Sequence, residues 1–172
     1  MGYNPIEGFA GFISLILAAA RIRYHPRTSM PNPSKRPQSI PEAARGSVLA
    51  MLAERSQLDF ELAFFADLLR RMPDYSDALR AQAGNLTTKG LLKEGLLIDQ
   101  VLVKLRPDDP DAHYNLACRY ALMLQPDLAI ETLRQAVTLG YNDFRYMIQD
   151  RDLASLRKDQ RFCDLLREYV ER

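Results

Sequence analysis

Apolar side chains recur at helical spacing near the end of the chain, at Leu153, Leu156, Phe162, Leu165, Leu166 and Tyr169. The same texture, organised as pairs of segments, fills residues 42–140. It predicts paired helices over 42–55 and 58–72, 76–88 and 92–105, and 110–123 and 126–139. The spacing between pairs is constant. Pro73, Pro107 and Tyr141 follow one another at 34 residues, as do Leu52, Leu86 and Tyr120, then Leu68, Leu102 and Ala136, with Leu79 and His113 as a further register. Several registers sharing one period identify an internal repeat, whose units bury a continuous core by stacking.

Local signals agree with these boundaries. Asp109 can cap a helix through its carboxylate, and Pro110 at the first helical position forfeits no hydrogen bond. Gly90 and Gly140 supply stops, since glycine takes the left-handed conformation that often follows a helix C-terminus at no steric cost. Residues 141–172 leave the repeat but stay helical. They read as a cap, with one apolar face for the last repeat and a polar face carrying Arg157, Lys158, Asp159, Arg161 and Arg167.

Residues 1–41 are of another kind. An uncharged, mostly apolar run from Gly8 to Ala20 ends at Arg21 and Arg23, and five of the ten prolines fall between Tyr24 and Pro41. The run is short of the roughly 20 residues that span a bilayer, and Glu7 stands where a secretory signal would be basic. Proline at this density prevents helix and sheet, so 24–41 reads as a linker. Residues 1–29 allow two readings: an apolar helix lying on a membrane surface with Arg21 and Arg23 at its edge, or a stretch upstream of a native start at Met30. The second is the preferred expectation. The first would make the chain a membrane-associated assembly factor.

Composition narrows the class. Of 172 residues, 47% are hydrophobic and 26% charged, with few glycines and no tryptophan, which suits one all-helical domain and not a polytopic membrane protein. A net charge of +1 leaves no concentrated basic surface for a nucleic-acid backbone, so nucleic acid is not an expected partner. Cys118 and Cys163 lack the close Cys or His neighbours of a metal site. Both read as small buried hydrophobes in a reducing, cytoplasmic compartment.

Catalysis would need a nucleophile with a base, tuned carboxylates, a phosphate-binding glycine loop or a metal cluster, and none is visible. His113 and Cys118, five residues apart on one helix, are separated by roughly 500° of rotation and point apart. His113 also occupies a packing register. The run Asp108-Asp109-Pro110-Asp111 lacks the glycine and distal glutamate of a calcium loop. No catalytic residue, metal or cofactor is therefore expected.

The period and its residues resemble the tetratricopeptide repeat family, most clearly in DPDAHYNLACRYALMLQPDLAIETLRQAVTLGY, where His113, Leu116, Ala117, Tyr120, Ala129 and Leu133 meet the family's spacing of bulky and small positions. The unit before it keeps Leu79, Ala83, Leu86, Gly95 and Pro107 but has Gln82 and Asp99 at apolar places. The first unit keeps Val48, Leu49, Leu52, Phe65 and Pro73, with Glu61 at a small one. The tail resembles segments that end bacterial arrays of this family, in Gly140, Asp150, Asp152, Leu153, Arg157, Asp159, Arg161 and Phe162.

The resemblance implies a right-handed α-α superhelix, a tetratricopeptide-like solenoid of about three helix pairs with C-terminal capping helices. It implies a non-enzymatic scaffold or adaptor whose concave groove, lined by the first helix of each pair, receives an unidentified protein or peptide. Edge helices of such an array can also pair between copies in a homo-oligomer, and a membrane enters only if the N-terminal segment is native. By register the groove is expected to hold Arg80, Thr87, Thr88, Tyr114, Cys118 and Leu122, with Asp77, Gly84, Asp111 and Ala121 beside them. Arg80 is expected to meet a partner carboxylate and Tyr114 to offer an aromatic platform. The lysine and asparagine arrangement by which some members clamp a C-terminal carboxylate is not reproduced.

Overall fold

A computed structural model describes residues 57–170. The apolar run at 8–20, the proline-rich linker and the helix expected over 42–55 lie outside the described residues. Within them the chain is all-helical: α1 (Gln57–Arg71), α2 (Ser76–Thr88), α3 (Leu92–Leu105), α4 (Pro110–Leu122), α5 (Pro126–Thr138), α6 (Phe144–Gln149), a 3-10 helix (Arg151–Leu156) and α7 (Gln160–Val170). The boundaries of α2 and α3 coincide with those read from the sequence, and α1, α4 and α5 end one residue earlier. Among the described residues no helix is long and apolar enough to cross a membrane.

Each helix from α1 to α5 packs chiefly on its neighbours in sequence, and the 3-10 helix returns to α4. The buried stripes explain why. On α5 they are Ala129, Ile130, Leu133, Ala136 and Val137, one apolar face at helical spacing. Helix α4 is covered on more than one side, and eight of its thirteen residues are buried. Ala117 and Ala129 are fully buried where α4 and α5 pack, so the small residues stand where the backbones need room.

The termini follow local chemistry. Asp109 accepts from the amides of Asp111 at 2.9 Å and Ala112 at 3.1 Å, capping α4 ahead of Pro110, and also accepts from Arg80 Nη2 at 2.9 Å. Gly90 (φ +79°) and Gly140 (φ +110°) end α2 and α5 in the left-handed region. Leu124, 34 residues after Gly90, takes the same conformation at φ 57°. After each, an amide reaches back to the final turn: Leu91 to Leu86 O, Gln125 to Tyr120 O and Tyr141 to Ala136 O, all at 2.8 to 2.9 Å.

Asp109 carries a checkable consequence. Partial burial pushes its carboxyl up, but the Ala112 amide and the Arg80 guanidinium outweigh this and hold it below its ordinary value. A carboxylate with a lowered folded pKa stabilises fully above its unfolded pKa and loses that contribution as pH falls through the folded value. Asp109→Ala is therefore expected to cost about 1–2 kcal/mol at neutral pH. The difference from the parent should shrink as the medium is acidified below the ordinary carboxylate range, as measured by urea unfolding at neutral and acid pH.

The tail is more than a lid. Asp150 caps the 3-10 helix by accepting from the Asp152 amide at 2.9 Å, while Ser155 Oγ donates to Ala121 O at 2.9 Å. Arg157 Nη2 donates to Gln149 O at 3.3 Å and Asp150 O at 3.2 Å. Arg161 pairs with Asp159 at 2.7 Å and with Asp127 of α5 at 2.7 Å. Leu153, Leu156, Phe162 and Leu165 enter one apolar cluster with α4 and α5. Every side chain of the tail motif except the Asp152 carboxylate thus has a structural task. One expectation fails here: Cys163, read as buried, is half-buried, and its Sγ donates to Arg157 O at 3.6 Å.

Candidate functional site: a groove over α2, α4 and the tail

Positions four apart on a helix share a face, so Arg80, Gly84 and Thr88 form one wall on α2 and Tyr114, Cys118 and Leu122 another on α4. Between them lies an open cavity of about 830 Å³. It is lined by all six residues expected for the groove, Arg80, Thr87, Thr88, Tyr114, Cys118 and Leu122, together with Gly84 and Asp111. Asp77 and Ala121 do not line it. Asp77 is exposed elsewhere on α2, and Ala121 is buried beneath the 3-10 helix, its carbonyl taken by Ser155.

Two expected roles change. Arg80 is paired within the chain, to the cap of α4, because that cap arrives within reach of its guanidinium. Tyr114 is 4% exposed and offers no open platform. One face of its ring is stacked on Tyr141 at 4.2 Å with the planes 4° apart, and its hydroxyl donates to Asp150 Oδ2 at 2.7 Å. The open aromatic surface belongs instead to Tyr146, 55% exposed and tilted against Tyr114 at 6.2 Å.

Electrostatics follow from burial. Burial raises the Tyr114 hydroxyl, reinforced by Cys118 and Asp150, and raises Tyr141 to about 12. The Cys118 thiol is pushed up by burial and by the charge of Asp150, whose Oδ2 lies 3.7 Å from Sγ. It stays protonated, the opposite of what a nucleophilic cysteine needs. The hydroxyls of Thr87 and Thr88 donate to Ala83 O and Gly84 O one turn back, at 2.9 and 3.1 Å. His113 Nε2 sits 2.9 Å from Pro107 O, holding the α3–α4 connection.

Deeper between α3 and α4 runs a polar seam. Arg119 Nε donates to Asp99 Oδ2 at 2.9 Å and Nη2 to Ala83 O at 3.2 Å, with Arg119 only 6% exposed. Burial raises the Asp99 carboxyl, and the Arg119 charge opposes that shift. A Cβ on Gly95 would stand 3.1 Å from Arg119 Cζ, so the glycine makes room for the guanidinium. Gln100 Nε2 donates to Tyr120 OH at 3.2 Å along the same boundary, which separates the apolar cluster of α1–α3 and Ala112 from that of α4, α5 and the tail.

The chain matches no family model, and no solved structure matches it. Over 60 residues, 35% of this chain, it is 38% identical to a chloroplast protein of Arabidopsis thaliana. The matched stretch spans 18% of that protein's length, so the likeness concerns a segment and not the whole relative.

Sequence reasoning missed Tyr141, Tyr146, Asp150 and Asp152, which close one end of the cavity, and the Asp99–Arg119 pair on its floor. For the pair a signal existed: Asp99 occupied an apolar register, and a carboxylate there requires a buried cation. Gln82, the other misfit, found no such partner. It is fully buried, and neither side-chain Oε1 nor Nε2 is hydrogen-bonded among the described residues. Leu116 fills the same register one period later. Gln82→Leu is expected to raise stability by about 1–2 kcal/mol, read as a higher urea midpoint at unchanged slope.

Proposed function

We propose that the chain is a protein-binding module of tetratricopeptide type, a short helical solenoid without catalysis of its own, whose groove receives a segment of another protein. The observation carrying this reading is that the six residues expected in the groove, from the family resemblance and the repeat register together, line one open cavity of about 830 Å³. That volume admits several side chains of a bound segment. The groups that could have served chemistry are committed elsewhere: His113 to a backbone carbonyl, Cys118 as a thiol, and both threonine hydroxyls to their own helix. Asn115 lines the cavity from α4. Its amide can both donate to and accept from a peptide backbone.

The test is site-specific photocrosslinking in cells of the source organism. A photoreactive residue at Thr88, in the groove, is expected to capture a discrete partner, and the same residue at Glu131, exposed on α5 outside the cavity, is not. Equal capture from both positions, or none from Thr88, overturns the reading.

A further inference from the structure

The chemistry of the groove specifies its occupant. Four carboxylates, those of Asp99, Asp111, Asp150 and Asp152, line the cavity against the guanidinium groups of Arg80 and Arg119. Both cations are already neutralised inside the chain, Arg119 by Asp99 and Arg80 by Asp109. Asp150 is engaged by Tyr114, Cys118 and the Asp152 amide. The carboxylates of Asp111 and Asp152 have no ion-pair partner among the described residues. The field left over in the groove is negative, and it is concentrated at the end built by the tail.

That end is also the aromatic end. Tyr114, Tyr141 and Tyr146 meet there; Tyr146 is 55% exposed with the charges of Asp150 and Asp152 near it, and Asp111 lies near Tyr141. An aromatic face attracts a cation through its quadrupole, and adjacent carboxylates add hydrogen-bond acceptors for the same group. Partial burial, then the neighbouring Asp150 charge, raise the Asp152 carboxyl. The Arg119 charge offsets these in part, and an incoming cation would counter the Asp150 repulsion further. A negatively charged segment would meet repulsion in the same place, so the surface discriminates as well as attracts.

We propose that the tail end of this groove seats a lysine or arginine side chain of a partner peptide, its cation set against the open ring of Tyr146 and the carboxylates of Asp111 and Asp152. A peptide, more than a free amine, suits the shape. The cavity continues from this end past Asn115 to Gly84 and Thr88 on α2, and a Cβ at Gly84 would meet nothing within 4 Å, which leaves that wall open to a passing backbone.

The inference rests on the binding-module reading and fails separately from it. Full-length protein is titrated by fluorescence anisotropy into three labelled peptide pools that share one degenerate neutral frame and carry Lys/Arg, Gln or Glu at fixed positions. The basic pool is expected to bind at least roughly tenfold more tightly than the glutamine pool, with the advantage shrinking as salt is raised. Asp111→Asn with Asp152→Asn should remove most of that advantage, and Tyr146→Ala should reduce it several-fold. Glu131→Gln, outside the cavity, should leave it unchanged. Asp111 and Tyr146 are exposed and Asp152 is half-buried, so circular dichroism of the variants should show the helical fold retained. Equal affinity for the three pools, binding of none, preference for the acidic pool, or indifference to the Asp111, Asp152 and Tyr146 variants overturns the inference. Should Thr88 crosslink a partner through a segment without lysine or arginine, the module stands and this inference falls. Absence of a groove crosslink ends both.

Discussion

Asp99→Leu, which restores the residue type that the 34-residue period places at that register, is expected to destabilise the protein by about 3–5 kcal/mol. The period would recommend the change, since Leu133 fills the equivalent place one repeat later and is fully buried. Tertiary structure forbids it. Arg119 is 6% exposed, and its Nη1 already has no hydrogen-bond partner among the described residues. Removing Asp99 would leave the guanidinium buried with only Ala83 O to accept from it. The penalty is that of an uncompensated charge, not of a lost contact.

The partner experiment separates these. In Asp99→Leu/Arg119→Met both charges leave, and the expected stability returns to within about 1 kcal/mol of the parent or exceeds it, as for other buried pairs replaced by packed apolar side chains. Urea unfolding of both single variants and the double variant gives the coupling. A single Asp99→Leu variant as stable as the parent would show that the pair does not hold the α3–α4 seam.

The second large effect belongs to Asp150. Asp150→Ala is expected to cost about 2–4 kcal/mol, because one carboxylate caps the 3-10 helix and accepts from the buried Tyr114 hydroxyl and from Cys118. Most of the loss comes from the orphaned tyrosine hydroxyl, so Asp150→Ala combined with Tyr114→Phe should be less destabilised than additivity predicts. Thermal unfolding of the set measures it. Strict additivity would show that the hydroxyl and carboxylate act independently, against the 2.7 Å geometry. Unless the tail remains docked, Tyr146 and Asp152 also leave the groove, so Asp150→Ala should impair binding of the basic pool as well.

Much of the fold was legible because its determinants are local. Proline and glycine punctuation, the Asp109 cap and apolar spacing act within a few residues, and they define five helices whose limits agree with the structure to within one residue. Gly90 and Gly140 read as stops from the conformational freedom of glycine, and both have positive φ. Leu124 does not, since nothing in a leucine announces the left-handed conformation it adopts at the same place in the period. The 3-10 geometry of Arg151–Leu156 is hidden for a related reason: the spacing of its buried Leu153 and Leu156 is equally compatible with an α-helix.

The groove divides along the same line. Which side chains share a face of α2 or of α4 is set by the helical period, and the resemblance implied which face to choose, so Arg80, Thr87, Thr88, Tyr114, Cys118 and Leu122 could be named in advance and line one cavity. What those side chains do there was not local. Arg80 turns to Asp109, Tyr114 is covered by Tyr141, and the open aromatic and acidic surface comes from Tyr146 and Asp152 in the tail. The sequence by itself determined the helices, their repeat and the faces they present, because spacing and capping are properties of neighbouring residues. Tertiary structure alone decided which charges are cancelled and which remain open to a partner. Pairing across 20 to 36 residues, as between Asp99 and Arg119 or Tyr114 and Asp150, depends on where packing brings distant helices, and no local pattern names the partner.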